Sequence, residues 1–301
     1  MTRNIDLMGR KKIWFSISAV IIAVSIASLL TLGLNLSIDF KSGAKLTMSV
    51  QQQASVDDMR LAVSDLGYPD AVVQTIGDGR FQITFPELSD EQQGQVIDAL
   101  NEVFGVNLDD TSWEVVGPTF GQQVRDAAIK AVIIAWLLIV GYVSLRFEFK
   151  FAMATIAALI HDLVITVGVY SLTGREVTTA TVAAVLTILG YSLYDTIIVF
   201  DRVRENQPRA RRGTYGEMVN TSIMEVLNRS IITTLTTVLP VACLFIFGGE
   251  TLKDFAFALM VGIISGTYSS IFLASPLLTL WKEREKRYRP KLAGGKAAGS
   301  R

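Results

Sequence analysis

The sequence has little of the chemistry from which enzymes and metal centres are built. Its 301 residues include one cysteine, Cys243, and one histidine, His161. A single thiol forms neither an intrachain disulfide nor a cysteine metal site, and a lone histidine argues against a multi-histidine metal centre. No nucleophile and base come together at a predicted aqueous surface. The sequence therefore predicts a protein that is not an enzyme and holds no metal.

Charge is also scarce. Only 19% of the residues are charged, 50% are apolar, and the mean hydropathy is +0.40. The apolar residues lie in long blocks, which indicates an integral membrane protein. Six blocks reach the ~20 residues that a helix needs to cross a bilayer. These predicted spans are residues 13–34, 124–145, 151–172, 177–200, 230–248 and 255–281.

The first block follows three basic residues, as the apolar core of a signal peptide does. It is long for such a core, and no clear small-x-small cleavage site follows it. We therefore expect an uncleaved anchor, preceded by residues 1–12.

The distribution of charge predicts the direction of the spans. Nineteen of the 28 Lys and Arg residues fall within residues 1–12, 146–150, 201–212 and 282–301. Because short loops rich in Lys and Arg stay in the cytoplasm, both termini and the loop of residues 201–229 are predicted to be cytoplasmic. Residues 46–120 carry thirteen acidic and two basic side chains. This balance places them outside and argues against a nucleic-acid binder.

Residues 35–123 are predicted to form a folded extracytoplasmic domain. Apolar and polar residues alternate as in half-buried strands, and Gly77-Asp78-Gly79 is a hairpin signal. The predicted strands are residues 44–50, 71–76, 80–85 and 113–116.

Two helices are predicted between these strands. Ser55 and Ser89 are suitable N-caps, and Gly67 and Gly105 are suitable helix ends. The resulting βαββαβ order predicts a ferredoxin-like α+β sandwich. Since that fold serves many functions, a rigid spacer and a surface for an exported partner both remain open.

Two further patterns concern the helices. Residues 214–227 are amphipathic, follow a basic cluster at residues 209–212, and are predicted to lie along the cytoplasmic membrane surface. The spacing Gly262-x-x-x-Gly266 in the sixth span permits close contact with another helix.

Ionisable residues within the spans are costly and are therefore candidate functional residues. His161 and Asp162 lie near the middle of the third span. Adjacent helical residues point about 100° apart, so one is expected to face a neighbouring helix and the other a polar cavity. The alternative is a hydrogen-bonded pair that only fixes helix packing.

Asp195 lies within the fourth span. A carboxyl group in a low-dielectric bundle can exchange a proton near neutral pH, so we expect Asp195 to handle protons. The alternative is an ion pair used for assembly. Tyr191 shares its helical face and Tyr194 is adjacent, while Asp201 and Arg202 form an expected cap at the membrane interface.

Arg229 opens the fifth span. It is either one more positive-inside residue or deep enough to pair with Asp195. Because arginine stays charged, it could modulate the proton affinity of that carboxylate without losing a proton itself.

Nearly the whole chain resembles the SecF family, the smaller membrane subunit of the bacterial SecD–SecF protein-export complex. The resemblance rests on four stretches: Asp39-Phe40-Lys41-Ser42-Gly43 after the first span, His161-Asp162, the run from Gly190-Tyr191-Ser192 through Asp195-Thr196 to Asp201-Arg202, and Asn228-Arg229-Ser230.

The resemblance implies a function. Members belong to the wider resistance-nodulation-division fold of the bacterial cytoplasmic (inner) membrane. They pair with SecD, associate with the SecY/SecE/SecG channel, and use the proton gradient to draw preproteins outward, with H⁺ as coupling ion and no other cofactor. Asp195 and Arg229 match residues implicated in proton conduction, with His161 and Asp162 as further candidates.

The sequence departs from the family at two positions. The loop after the first span is commonly Asp-Phe-x-Gly-Gly, but Ser42 replaces the first glycine, so a positive φ there would be strained. Tyr194 stands where many members have asparagine, which bears on proton access to Asp195.

Two other functions remain as alternatives. One is a proton-coupled small-molecule exporter of the same wider fold, although such exporters usually have twelve spans and two large external domains. The other is a structural assembly subunit without proton chemistry.

Overall fold

The computed structural model describes residues 6–76, 79–208 and 214–285, without the side chains of residues 250 and 251. The elements follow the chain as α1 (Lys11–Thr31), β1 (Asn35–Leu36), α2 (Ile38–Lys41), β2 (Gly43–Met48), α3 (Val56–Asp65), β3 (Val72–Ile76), β4 (Arg80–Phe85), α4 (Asp90–Phe104), a 3-10 turn (Leu108–Asp110), β5 (Ser112–Val116), α5 (Pro118–Arg146), α6 (Phe149–Thr173), β6 (Glu176–Val177), α7 (Thr179–Asn206), α8 (Tyr215–Phe247), α9 (Glu250–Ser269), a π-helical turn (Ser270–Ala274) and α10 (Ser275–Glu283).

Within these described ranges, six helical stretches are long and apolar enough to cross a membrane. They are α1, α5, α6, α7, α8 and the run from α9 to α10, which the π-helical turn connects. Each predicted span falls on one of them, so the predicted six-helix membrane bundle is confirmed. α6 and the α9–α10 run are the most buried of the six, whereas α5 is almost entirely exposed along its apolar length.

The course of α8 corrects one prediction. The sequence predicted a membrane-surface helix over residues 214–227, separate from the span at residues 230–248, but α8 is continuous from Tyr215 to Phe247. The apolar face of its first half is buried with residues of α7 and α10 in one cluster, which includes Tyr215, Val219 and Leu278. That face therefore belongs to the protein core. The basic cluster at residues 209–212 lies outside the described residues.

The sheet domain has the predicted topology. Its strand order is β3-β4-β2-β5, and every neighbouring pair is antiparallel. Leu46 of the central β2 lies opposite Ile83 on one side and Trp113 on the other. With α3 and α4 between the strands, this is a ferredoxin-like sandwich. The first strand ends at Met48, two residues before its predicted end, and the predicted hairpin at residues 77–79 falls partly outside the described residues.

The helices of this domain begin and end where the sequence predicted. The Ser55 hydroxyl accepts a hydrogen bond from the Asp58 amide at 3.1 Å, and the Asp58 carboxylate accepts one from the Ser55 amide at 3.0 Å. The Ser55 hydroxyl also donates to the Asp58 carboxylate at 2.7 Å, and this bond, with the one from the Ser55 amide, lowers the pKa of the exposed Asp58 carboxyl. Ser89 and Gln92 form the same capping box on α4, and Gly105 ends α4 in the left-handed conformation.

Ser42, at the turn between α2 and β2, has a strained backbone. Its φ of 62° and ψ of 168° lie in a region that only glycine enters without strain. It is the one non-glycine residue with positive φ among those described. The next residue, Gly43, allows a close approach, because a methyl group there would lie 2.4 Å from the Phe85 carbonyl oxygen. The strain expected from the sequence at position 42 is therefore present.

Replacing Ser42 with glycine is expected to stabilise the protein. Removing the backbone strain gains about 1–3 kcal/mol, and the greater freedom of glycine in the unfolded chain costs about 0.5–1 kcal/mol. The expected net gain is about 0.5–2 kcal/mol, measured as a higher melting temperature in detergent. Ser49→Gly, at a described position with negative φ, is the matched control and should destabilise. An unchanged or lower melting temperature for Ser42→Gly would contradict the strain.

Ion pairs join the helix ends at the pole of the bundle opposite the sheet domain. They connect α1, α5, α6, α7 and α8 to one another or to the end of α10. The pairs are Lys11–Glu283 at 3.2 Å, Arg146–Asp201 at 3.3 Å, Lys150–Glu285 at 2.7 Å, Lys282–Glu148 at 2.8 Å and Arg202–Glu225 at 2.5 Å.

Candidate functional site

Asp162 is the centre of a buried polar cluster where α6, α7 and α9 meet. Its carboxylate is fully buried and accepts three hydroxyl hydrogen bonds from neighbouring helices. The donors are Ser192 of α7 at 2.6 Å, Ser265 of α9 at 2.7 Å and Ser269 of α9 at 2.7 Å. Three hydroxyl donors on two helices make Asp162 a connection between three membrane helices.

His161 contacts the same carboxylate from the side of α1. Its Nδ1 lies 3.1 Å from Asp162 Oδ1, and its ring stacks on Tyr268 with 6.0 Å between centroids. Tyr268 in turn shares a hydrogen bond of 3.2 Å with Ser18 of α1. His161 Nε2 is buried and makes no hydrogen bond to the described residues. Among the described residues, both members of this dipeptide therefore face neighbouring helices, whereas the sequence had suggested that one of them would face a polar cavity.

Asp195 is buried at the contact between α7 and α8. Asp195 is only 5% exposed. Its Oδ1 accepts a hydrogen bond from the Ser230 hydroxyl at 2.8 Å. Its Oδ2 is buried and makes no hydrogen bond to the described residues. One oxygen is thus anchored, and the other can take a proton without breaking a contact.

Arg229 does not form an ion pair with Asp195 in the described structure. Ser230, its neighbour on α8, turns inward to Asp195, so Arg229 points about 100° away and is exposed. Its Nη2 donates to the hydroxyl of Tyr194 at 3.3 Å, and Tyr194 is itself 51% exposed. The direct pairing considered from the sequence is wrong for this conformation. Tyr194, one of the two departures from the family pattern, provides the partner.

Close packing of α7 on α9 brings these groups together. A methyl group at Gly262 would lie 2.3 Å from the Ile188 side chain, and one at Gly266 would lie 2.9 Å from Ser192 Cβ. The close contact predicted from this glycine spacing is confirmed. Beside it, Thr196 of α7 shares a buried hydrogen bond of 2.8 Å with Ser270. Ser270 begins the π-helical turn, a feature often found at functional sites.

The motif of residues 39–43, which follows the first span, lies at the end of the helix bundle that carries the sheet domain. The Asp39 carboxylate accepts hydrogen bonds from the Thr179 amide at 3.0 Å and the Thr179 hydroxyl at 3.1 Å. It therefore caps the first turn of α7, where a negative charge is favourable. Phe40 is buried next to it. These residues position α7 and are remote from its buried carboxyl group.

The other motif residues of α7 are spread along the helix. Gly190 is exposed, with no atom near the position of a methyl group, and Tyr191 is partly buried against an apolar cluster. Asp201 pairs with Arg146, and Arg202 pairs with Glu225 and with Glu205 at 2.6 Å. The last two motif positions thus contribute ion pairs at the helix end.

The sequence did not indicate which serines surround the carboxylates. Ser192 and Ser230 were noted only as motif residues, and Ser265, Ser269 and Ser270 lie in an apolar span and look unremarkable one by one. Ser265 and Ser269 are four residues apart, the spacing that places two side chains on one helical face. Among the described residues, no group of three or more His, Cys, Asp or Glu is placed to hold a metal ion.

Comparisons with known proteins identify the family of this chain. Residues 95–284 match the family model described as protein export membrane protein SecD/SecF, C-terminal, and residues 27–54 match the SecD/SecF GG motif. A protein translocase subunit SecF from Desulfurispirillum indicum is 41% identical over 279 residues, which is 89% of each chain. This chain belongs to the SecF family. As a member, it is a membrane protein that serves protein export.

Other SecF and SecDF proteins give the same result. Protein translocase subunit SecF of Streptomyces coelicolor is 39% identical over 98% of this chain and 83% of its own length. The crystal structure of SecDF from Thermus thermophilus superposes with a TM-score of 0.85 at 38% identity, over 94% of this chain and 39% of that chain. SecDF in its super-membrane-facing form gives a TM-score of 0.69 at 35% identity. This chain therefore spans about two fifths of the SecDF structures that it matches.

Proposed function

We propose that this SecF-family chain is a subunit of a proton-driven motor for protein export, and that Asp195 carries the proton. The observation that supports this most strongly is the position of its carboxyl group. It is buried between α7 and α8, its Oδ1 is anchored by Ser230, and its Oδ2 makes no hydrogen bond to the described residues. Proton uptake at Oδ2 would change the charge between two membrane helices while leaving the contact with Ser230 in place.

The membrane potential provides enough energy for such a step. One elementary charge moving through it gains about 2.3 kcal/mol per 100 mV. That free energy shifts a two-state equilibrium about fifty-fold. Loss of charge at Asp195 would remove a local attraction to the permanently charged Arg229, and α7 and α8 could then change their packing.

Asp162 has a structural role in this proposal. Its carboxyl group accepts three serine hydrogen bonds from two neighbouring helices and contacts His161, so its contacts already hold α6, α7 and α9 together. We assign the proton to Asp195 and the stable connection of α6, α7 and α9 to Asp162 with His161. H⁺ is the only coupling ion proposed, and no enzymatic reaction is included.

The exposed side of α8 suggests where a partner subunit binds. Arg229 and Tyr194 are exposed at the depth of an apolar helix, and they are accompanied by the exposed Ile232, Leu235 and Leu239. A charged side chain is costly when it faces lipid, so a protein surface should cover it. We propose that SecD, which would correspond to the remainder of the SecDF chain, covers this face. The SecY/SecE/SecG channel and exported preproteins complete the set of proposed partners.

The proposed orientation follows from the distribution of basic residues. Both termini and the segment between α7 and the first part of α8 are placed in the cytoplasm, residues 35–123 outside, and the protein in the bacterial inner membrane. The positive-inside rule and the position of the sheet domain at one pole of the bundle support this orientation.

Preprotein translocation into inverted membrane vesicles tests the proposed function. Vesicles that contain this chain with its SecD partner should translocate preprotein several-fold faster with a proton gradient than after an ionophore has collapsed it. Vesicles that lack this chain provide the baseline. Equal stimulation by the gradient in both preparations would contradict a motor function for this chain.

A further inference from the structure

A buried ion pair joins the sheet domain to the turn between α6 and α7. Lys45 Nζ of β2 lies 2.8 Å from Glu176 Oε2, and the two side chains are only 10% and 11% exposed. Gln82 of β4 also donates to Glu176 Oε2, at 3.3 Å. Glu114 of β5 is 4.0 Å from Lys45 and largely exposed. The contact therefore lies on the face of the sheet that points away from α3 and α4.

Stability alone does not explain this pair. Taking two charges out of water costs as much as their attraction returns in many proteins, and the best-attested use of buried ion pairs is to fix one arrangement among several. The connectivity of the chain suggests that this pair fixes the arrangement of the domain relative to the helices. The domain is covalently joined only to α1 and α5, whereas Asp162 and Asp195 lie on α6 and α7. The turn that carries Glu176 connects those two helices directly.

The same turn is fixed to its surroundings on both sides. β6 of the turn pairs in parallel with β1, with Glu176 opposite Asn35. Arg175 lies 2.8 Å from Asp254 of α9 and stacks over the ring of Phe257 at 4.4 Å. A movement of α6, α7 or α9 would thus displace the turn as a unit, and Glu176 would transmit the displacement to β2.

We propose that the Lys45–Glu176 pair is the coupling joint of the chain, a pair of positioning residues that transmits repacking of α6 and α7 to the external domain. The inference rests on the proposed function, since it assigns the route by which a change at Asp195 reaches the domain. Its loss removes the link between β2 and the turn, while the β1–β6 pairing, the Asp39–Thr179 contact and the site around Asp195 remain.

Two single variants remove the joint by different means. Lys45→Met removes the cation and keeps the aliphatic chain, and Glu176→Gln removes the anion and keeps the volume. Lys41→Met, at an exposed lysine four residues earlier, is the matched control. The charge swap of Lys45→Glu with Glu176→Lys restores an ion pair of opposite direction, and the exposed Glu114 can turn away from it.

The first readout is structural and does not depend on translocation. In a Cys243→Ser background, spin labels at Glu102 of α4 and Ile160 of α6, both exposed, report the distance between domain and bundle in the assembled complex. We expect one narrow distance distribution for the native joint and for Lys41→Met, and a broadened distribution for Lys45→Met and Glu176→Gln. The charge swap should restore the narrow distribution.

The second readout is the gradient response of translocation in the same vesicles. Both single variants should lose the stimulation and keep the gradient-independent rate, and the charge swap should regain stimulation. A narrow distance distribution in the single variants would contradict the proposed role of the Lys45–Glu176 pair. A broadened distribution with full stimulation by the gradient would contradict it as well. If a single variant fails to assemble, the charge-swapped double variant is tested instead. The width of its distance distribution and its stimulation by the gradient then decide whether the ion pair has the proposed role. If the native complex itself shows no stimulation, the motor function fails, while the label distances still test the joint.

Discussion

Replacing Asp195 with asparagine is expected to abolish the stimulation of translocation by the proton gradient while the complex still assembles. Asparagine has nearly the same shape, and its side-chain oxygen can still accept the hydrogen bond from Ser230. It cannot take up and release a proton near neutral pH. The measurement is the ratio of translocation rates with and without a gradient, which should fall from several-fold to about one.

The control for this variant is a second carboxylate on the same helix. Asp201→Asn removes a charge from a half-exposed ion pair with Arg146 and should keep the gradient response. Co-purification with SecD separates failed assembly from failed coupling. An assembled Asp195→Asn complex that responds to the gradient like the native one would contradict the assigned proton role. Failed assembly would instead favour the structural function.

Replacing Asp162 with alanine is expected to weaken the helix bundle itself. The change removes an acceptor from three buried serine hydroxyls, of which Ser269 also bonds the Gly266 carbonyl, and opens space between α6, α7 and α9. Hydrogen bonds to charged groups contribute about 1.5–3 kcal/mol in water-soluble proteins, and those between membrane helices about 0.6 kcal/mol on average. We therefore expect a loss of about 2–5 kcal/mol in the free energy of unfolding, measured by denaturation with SDS in mixed micelles.

Graded variants distinguish this from a general effect of mutation. Ser265→Ala removes one donor and should cost about 0.5–2 kcal/mol. Asp126→Ala, at an exposed carboxylate of α5, should leave the unfolding curve unchanged. If Asp162→Ala unfolds like the native protein, the cluster does not hold the three helices together.

The sequence predicted the parts of this fold that depend on local pattern. Membrane spans follow from apolar length, and the domain topology follows from strand alternation with Ser55, Ser89 and Gly105 as caps. Asp195 was also visible, because a carboxylate within an apolar helix is costly wherever it lies. Each of these inferences needs only a short window of the chain.

The features that the sequence did not predict depend on which helices are neighbours. The amphipathic pattern of residues 214–227 fits either a membrane surface or a protein core, and only the packing against α7 and α10 selects the core. The rotation of α8 likewise decides that Ser230, rather than Arg229, faces Asp195. The three serines around Asp162 lie on two different helices, so no local pattern identifies them as one site.

The most direct test of the proton role is infrared difference spectroscopy of the assembled complex during a pH titration. Protonated carboxyl groups in apolar surroundings have a distinct C=O stretching band, which the carboxylate lacks. If Asp195 carries the proton, a titrating band is present in the native complex and in Asp201→Asn and absent from Asp195→Asn. A titrating band of the same size in Asp195→Asn would show that the proton is bound elsewhere and that Asp195 does not carry it.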